Sequence, residues 1–133
     1  MSYISKDEQI LIKIEKYIGK FSILYSRIKD LSGDEIEDGM DGMALTQCAT
    51  NLFELASRIT DDELSETLSI LSSGRLAKLR NIASHDYDAV DWAIAKNICA
   101  KTLSVITPAF LKECSRKLQE AKTQTKDYTK RGY

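Results

Sequence analysis

Apolar residues recur at steps of three and four near the start of the chain: Ile10, Leu11, Ile14, Tyr17, Ile18, Phe21, Leu24, Tyr25, Ile28 and Leu31. At about 100° per residue these positions share one side of a helix, so the pattern predicts a long amphipathic helix over 6–30. Lys13, Glu15, Lys16, Lys20 and Arg27 fall elsewhere and read as solvated charge. The stretch SGDEIEDGMDG is acidic and glycine-bearing; it ends the helix and reads as a loop. Its acids and glycines do not follow the spacing of a calcium-binding loop. A second helix is predicted over 41–59, with Leu45, Cys48, Leu52, Leu55 and Ile59 as its apolar seam and Asp41 as its N-cap. Glu54 reads as a solvent-facing residue of that helix.

Thr60, Asp61 and Asp62 signal another helix start, and Leu64, Leu68 and Leu71 follow before Ser72, Ser73 and Gly74 interrupt the pattern. Residues 75–84 read as a separate helical segment with Leu76, Leu79 and either Ile82 or Ala83 inward, loosening near His85. A last helix is predicted over 89–122, capped by Asp88 or Asp91, apolar at Val90, Ile94, Ile98, Leu103, Ile106, Phe110, Leu111, Cys114 and Leu118, and kinked by Pro108. Trp92 reads as a core or interface anchor. Residues 123–133 are polar and basic without periodicity and are expected to form a mobile tail. No strand-like alternation or internal repeat appears. The predicted fold is all-α, an antiparallel bundle of four main helices plus a short extra helix over 1–122.

Composition narrows this little. A chain of 133 residues fits one domain with a real core. Its 43% hydrophobic content, single proline and six glycines suit a folded helical protein. No apolar run approaches the ~20 residues that cross a bilayer, so no membrane partner is expected. MSYISKDEQ lacks the basic start and apolar block of a signal peptide, so a cytoplasmic location is expected. Cys48, Cys99 and Cys114 lie among apolar neighbours and read as small buried residues. With one histidine and no CxxC pair, neither a metal site nor any other cofactor is expected. Charge adds an asymmetry: residues 1–74 hold 7 Lys and Arg against 14 Asp and Glu, whereas residues 75–133 hold 12 against 6. The basic half is compatible with an RNA-contacting face, with acidic and basic faces meeting between two chains, or with an uneven solvated surface.

The candidate chemistry is concentrated in RNIASHDY, Arg80 to Tyr87, which holds the only histidine. A guanidinium offers a planar fork of donors that suits a phosphate. An imidazole can give or take a proton near neutral pH. Together they fit cleavage of RNA without metal, in which the substrate's own 2′-hydroxyl attacks the adjacent phosphate: Arg80 supplies charge and His85 one proton transfer. One chain has no second histidine, and a two-fold dimer with facing motifs would supply it. Asn81 either orients Arg80, touches the sugar–phosphate backbone, or is a surface amide. Tyr87 either bonds the substrate, is a target of regulation, or packs at a helix corner.

The spacing Arg80, Asn81, four positions to His85, then Tyr87, resembles the signature of the HEPN superfamily, in particular HepT-like toxins of prokaryotic toxin–antitoxin pairs. Arg80 and His85 fall on that family's Arg/His pair, Asn81 on the polar residue that follows the arginine, and Tyr87 on the tyrosine beyond the histidine. The resemblance extends loosely over the helical chain. It implies a HEPN-like bundle and a metal-independent endoribonuclease toxin of a type VII-like system. It also implies a homodimer with a composite site at its interface. Further, it implies an MNT-type nucleotidyltransferase antitoxin that adenylylates Tyr87, setting bulk and negative charge in the RNA path. An alternative is a non-catalytic HEPN-like subunit that docks a nucleotidyltransferase; a third is a plain helical adaptor.

Overall fold

In a computed structural model of the chain, the backbone is described for residues 5–130 and side chains for residues 5–121. The described chain is an all-α bundle without strands. None of its helices is long and apolar enough to cross a membrane.

The first amphipathic pattern folds as α1, Lys6–Ile28. Ser5 caps it by accepting from the Glu8 amide. The second pattern folds as α3, Asp41–Ser57. Three contacts fix the two helices antiparallel: Asp7 meets Thr60, the Cys48 thiol donates to the Tyr17 carbonyl, and Arg27 lies 3.6 Å from Asp41. Ile14 and Phe21 from α1 and Leu45 and Leu52 from α3 are almost fully enclosed between them and form the centre of the core.

Several expectations need correction. SGDEIEDGMDG is not a plain loop, for Gly33–Asp38 forms a short helix, α2. Ser32 and Glu35 close a reciprocal capping box, and Ile36 points into the core. Asp41 is the first residue inside α3 rather than its N-cap, and the capping position belongs to Met40 without a side-chain bond. The leucine run after Asp61 divides into α4, Asp62–Thr67, and α5, Ser69–Ser72. Asp61 caps α4 as expected, accepting from the Leu64 amide.

α6 spans Gly74–His85 and ends at the histidine, with Asp86 extended, in keeping with the loosening expected near His85. Ala83, not Ile82, turns inward; Ile82 is exposed. A 3-10 turn, Tyr87–Ala89, leads to α7, Trp92–Val105, which Asp91 caps through the Ala93 and Ile94 amides. Trp92 is buried, as a core anchor should be. Ile94 is exposed, whereas Ala95, Cys99 and Thr102 carry the inward face.

The expected single kinked helix is instead two helices, because Pro108 opens α8, Pro108–Lys130. Proline disfavours helical geometry in the residue before it yet suits the first helical position, where its missing amide donor costs nothing. The Thr107 hydroxyl accepts from the Phe110 amide and closes that new N-terminus. The last helix, expected to end at 122, continues through 123–130, where a tail was expected, and residues 131–133 lie outside the described residues.

One buried acid ties the bundle's end together. The Asp7 carboxylate accepts from the amides of Thr60 and Asp61 and from the Thr60 hydroxyl. Burial alone pushes its pKa up, but the three donors more than offset this and hold it below the usual 3.8. A lowered folded-state pKa means that the stabilisation is present above the unfolded-state value and is lost as pH falls through the folded-state one. Asp7→Asn is therefore expected to cost about 2 kcal/mol at pH 7. Urea unfolding at pH 7 and pH 3 checks this, since the gap from wild type should narrow at the lower pH.

Candidate functional site

Residues Arg80 to Tyr87 lie along the C-terminal half of α6 and the turn after it, antiparallel to α3. Arg80 sits opposite Phe53, and Tyr87 sits opposite Gly42.

Arg80 is held from two sides. Its guanidinium carbon lies 4.2 Å from the centroid of the Phe53 ring, a stacked cation–π contact. One terminal nitrogen donates to the Asn81 side-chain oxygen at 2.7 Å. Its Nε is buried without a hydrogen-bond partner among the described residues. Of the roles open to Asn81, orienting Arg80 is the one with a contact in the structure.

His85, the last residue of α6, is exposed. Lys78, Asn81, Ile82 and His85 follow at steps of three and four, so they form one outward stripe. Arg80 and His85 are five apart, about 140° around the axis on continuous helix, and no hydrogen bond links them among the described residues. The Arg80 guanidinium still reaches the rim of this stripe through Asn81. A single chain therefore presents the cation packed on Phe53 between α3 and α6, and the imidazole on the outward face of α6.

Tyr87 is packed. Its ring meets Trp92 edge-on, with centroids 5.7 Å apart and planes at 67°. The hydroxyl is enclosed and lacks a partner among the described residues, as does the Trp92 indole nitrogen. A Cβ built on Gly42 would come within 2.3 Å of that hydroxyl, 2.7 Å of Ile36 Cγ2 and 3.0 Å of the Trp92 ring. Burial, followed by the nearby charges of Glu37 and Asp88, raises the phenol's pKa and keeps it neutral. The helix-corner reading of Tyr87 is the arrangement observed. In this conformation its oxygen is closed to a nucleotidyl donor.

Phe53 and Gly42 are site residues that the sequence reading missed. Phe53 lies off the apolar seam of its helix, and Gly42 falls where the acidic glycine-bearing stretch overlaps the start of the helix predicted over 41–59. Eleven residues separate them, three turns of one helix, so both project toward α6. That spacing was the available signal.

Glu54 is exposed on α3, as expected, and makes no hydrogen bond or ion pair with Arg80 among the described residues. The three cysteines are free and buried. Burial raises each thiol's pKa, that of Cys99 to about 12, which keeps them protonated and unreactive.

No family model, curated protein or solved structure matches this chain.

Proposed function

We propose that the protein is a metal-independent endoribonuclease whose working site is completed by a second copy of the chain, acting as the toxin of a toxin–antitoxin pair. The observation that carries this reading is a guanidinium already positioned by Phe53 and Asn81 on the same helix as an exposed imidazole five residues on. Arg80 stacked on Phe53 and bonded to Asn81 has little freedom left to lose when it meets a phosphate. His85 is exposed, and a two-fold neighbour meeting that face would add a second imidazole and a second guanidinium.

In the proposed reaction the RNA 2′-hydroxyl loses its proton to a base and attacks the adjacent phosphorus. The 5′-oxygen of the next nucleotide takes a proton as it leaves, and a 2′,3′-cyclic phosphate remains. The two His85 side chains would share the proton transfers, and the Arg80 pair would stabilise the charge gathering on the phosphoryl oxygens.

Neutralisation by an MNT-type nucleotidyltransferase that adds AMP to Tyr87 belongs to the same proposal, with one structural condition. The enclosed hydroxyl must leave its corner against Gly42 and Trp92, so the antitoxin has to open that corner.

Induced expression of wild-type protein is expected to arrest growth, and His85→Ala to relieve the arrest while the dimer persists on size-exclusion chromatography. Equal arrest by both would overturn the site. For the antitoxin, intact mass after co-expression with a neighbouring nucleotidyltransferase should rise by one or more AMP units and not in Tyr87→Phe.

A further inference from the structure

The acidic half of the chain carries a basic groove. At 100° per residue, Lys6, Lys13, Lys16, Lys20 and Arg27 fall within about 80° of one another around the α1 axis. The acids of α1, Asp7, Glu8 and Glu15, fall outside this arc. The cationic stripe is roughly 30 Å long at 1.5 Å per residue, and all five of its side chains are exposed.

Its middle opens into a groove of about 260 Å³ between α1 and α3, lined by Lys13, Lys16, Tyr17, Asn51, Glu54 and Arg58 among others. Three cations and one acid give this lining a net charge of +2, and Lys20 adds a further cation beside it. The Lys16 and Lys20 ammonium groups stand 6.0 and 5.3 Å from the Tyr17 ring centroid. None of Lys13, Lys16, Lys20 and Arg58 is in an ion pair among the described residues. Arg27, by contrast, is occupied by Asp41 at the end of the stripe.

Unpaired cations along a groove, with an aromatic ring and an amide between them, make a surface that fits a sugar–phosphate chain. The position matters as much as the charge. Asn51 and Arg58 lie on one flank of α3, and Phe53, which carries Arg80, lies on the other. One helix width, about 10 Å, separates the groove from the candidate site.

We infer that the α1/α3 groove binds the backbone of single-stranded RNA and leads it across α3 toward Arg80. The inference rests on the ribonuclease reading for its choice of polyanion, and its test is separable from that reading.

The test uses a labelled RNA pool of random sequence, roughly 20 nucleotides long, bound to the full chain carrying His85→Ala so that cleavage does not intervene. Lys13→Gln/Lys16→Gln/Arg58→Gln is compared with Lys101→Gln/Lys112→Gln/Lys117→Gln, an equal change in charge on exposed positions away from the groove. The groove triple is expected to bind about tenfold or more weakly and to reduce the salt slope by about 2, as loss of three phosphate contacts requires. The control triple should stay within about threefold of the parent. Circular dichroism verifies that both remain folded.

Equal losses in the two triples, no loss in the groove triple, or no binding by the parent overturns the inference. Tighter binding to phosphatidylserine vesicles than to RNA, abolished by the groove triple, would overturn it in favour of a membrane surface. RNA cleavage by wild type with unchanged binding in the groove triple removes the groove alone. Groove-dependent binding without cleavage removes the nuclease reading alone.

Discussion

Arg80→Lys is expected to lower the rate of the proposed RNA cleavage by about 100-fold while leaving the fold and the proposed dimer intact, an effect of the size seen when one aimed donor is lost from a charge-stabilising site. The substitution keeps the positive charge, so a site that used Arg80 only as a point charge would tolerate it. Lysine cannot form the planar stack on Phe53, nor can it hold one donor on Asn81 while directing others at a phosphate. The ammonium would sample several positions on a flexible stem, and the order already present in the arginine would be lost. Initial rates on a labelled RNA, in chelator, with dimer content measured on the same samples, check this. A wild-type rate in Arg80→Lys would refute the role given to the guanidinium's geometry.

Gly42→Ala is expected to destabilise the fold by about 3 kcal/mol, roughly 10 °C in Tm for a domain of this size. On propensity alone the change should stabilise α3, since alanine is the better helix former by about 1 kcal/mol. Sterics decide the sign. The new methyl would meet the Tyr87 hydroxyl at 2.3 Å and Ile36 Cγ2 at 2.7 Å. Ile36 is enclosed, and the tyrosine ring is braced by Trp92, so neither can yield cheaply. Removing the hydroxyl tests the attribution. Tyr87→Phe alone should be close to neutral, because the oxygen it deletes is buried without a partner. Combined with Gly42→Ala it should recover at least half of the loss, a coupling that thermal melts of the four proteins would measure. Independent, additive effects would mean that the clash lies elsewhere.

Long periodic segments made the bundle readable before any coordinates. Ile14, Ile18 and Phe21, and likewise Leu45, Leu52 and Leu55, point where the three-and-four rhythm puts them, because burial of a stripe is the main reason a helix of that length forms. Short segments were less legible. α2 has six residues, too few for periodicity, and its capping box was hidden in a stretch whose glycines and acids suggest a loop. Pro108 was ambiguous for a different reason: the apolar rhythm continues on both sides of it, and only Thr107 and the preceding break reveal a helix start rather than a kink. At the candidate site, the octapeptide names the groups with chemistry to offer but not what supports them. The stack of Arg80 on Phe53 and the seat of Tyr87 on Gly42 join residues dozens of positions apart, and no local pattern encodes which α3 residue faces which α6 residue.

α3 is thus the floor under both ends of RNIASHDY, and this bears on how portable that segment is. Moved onto an unrelated helix, the octapeptide would keep its side chains but lose the aromatic plate and the notch beneath them. A search template for chains of this kind should pair two spacings, a glycine and an aromatic three turns apart upstream with the arginine and tyrosine downstream. Chains with the downstream half alone would display the same letters without the rigidity that makes them useful.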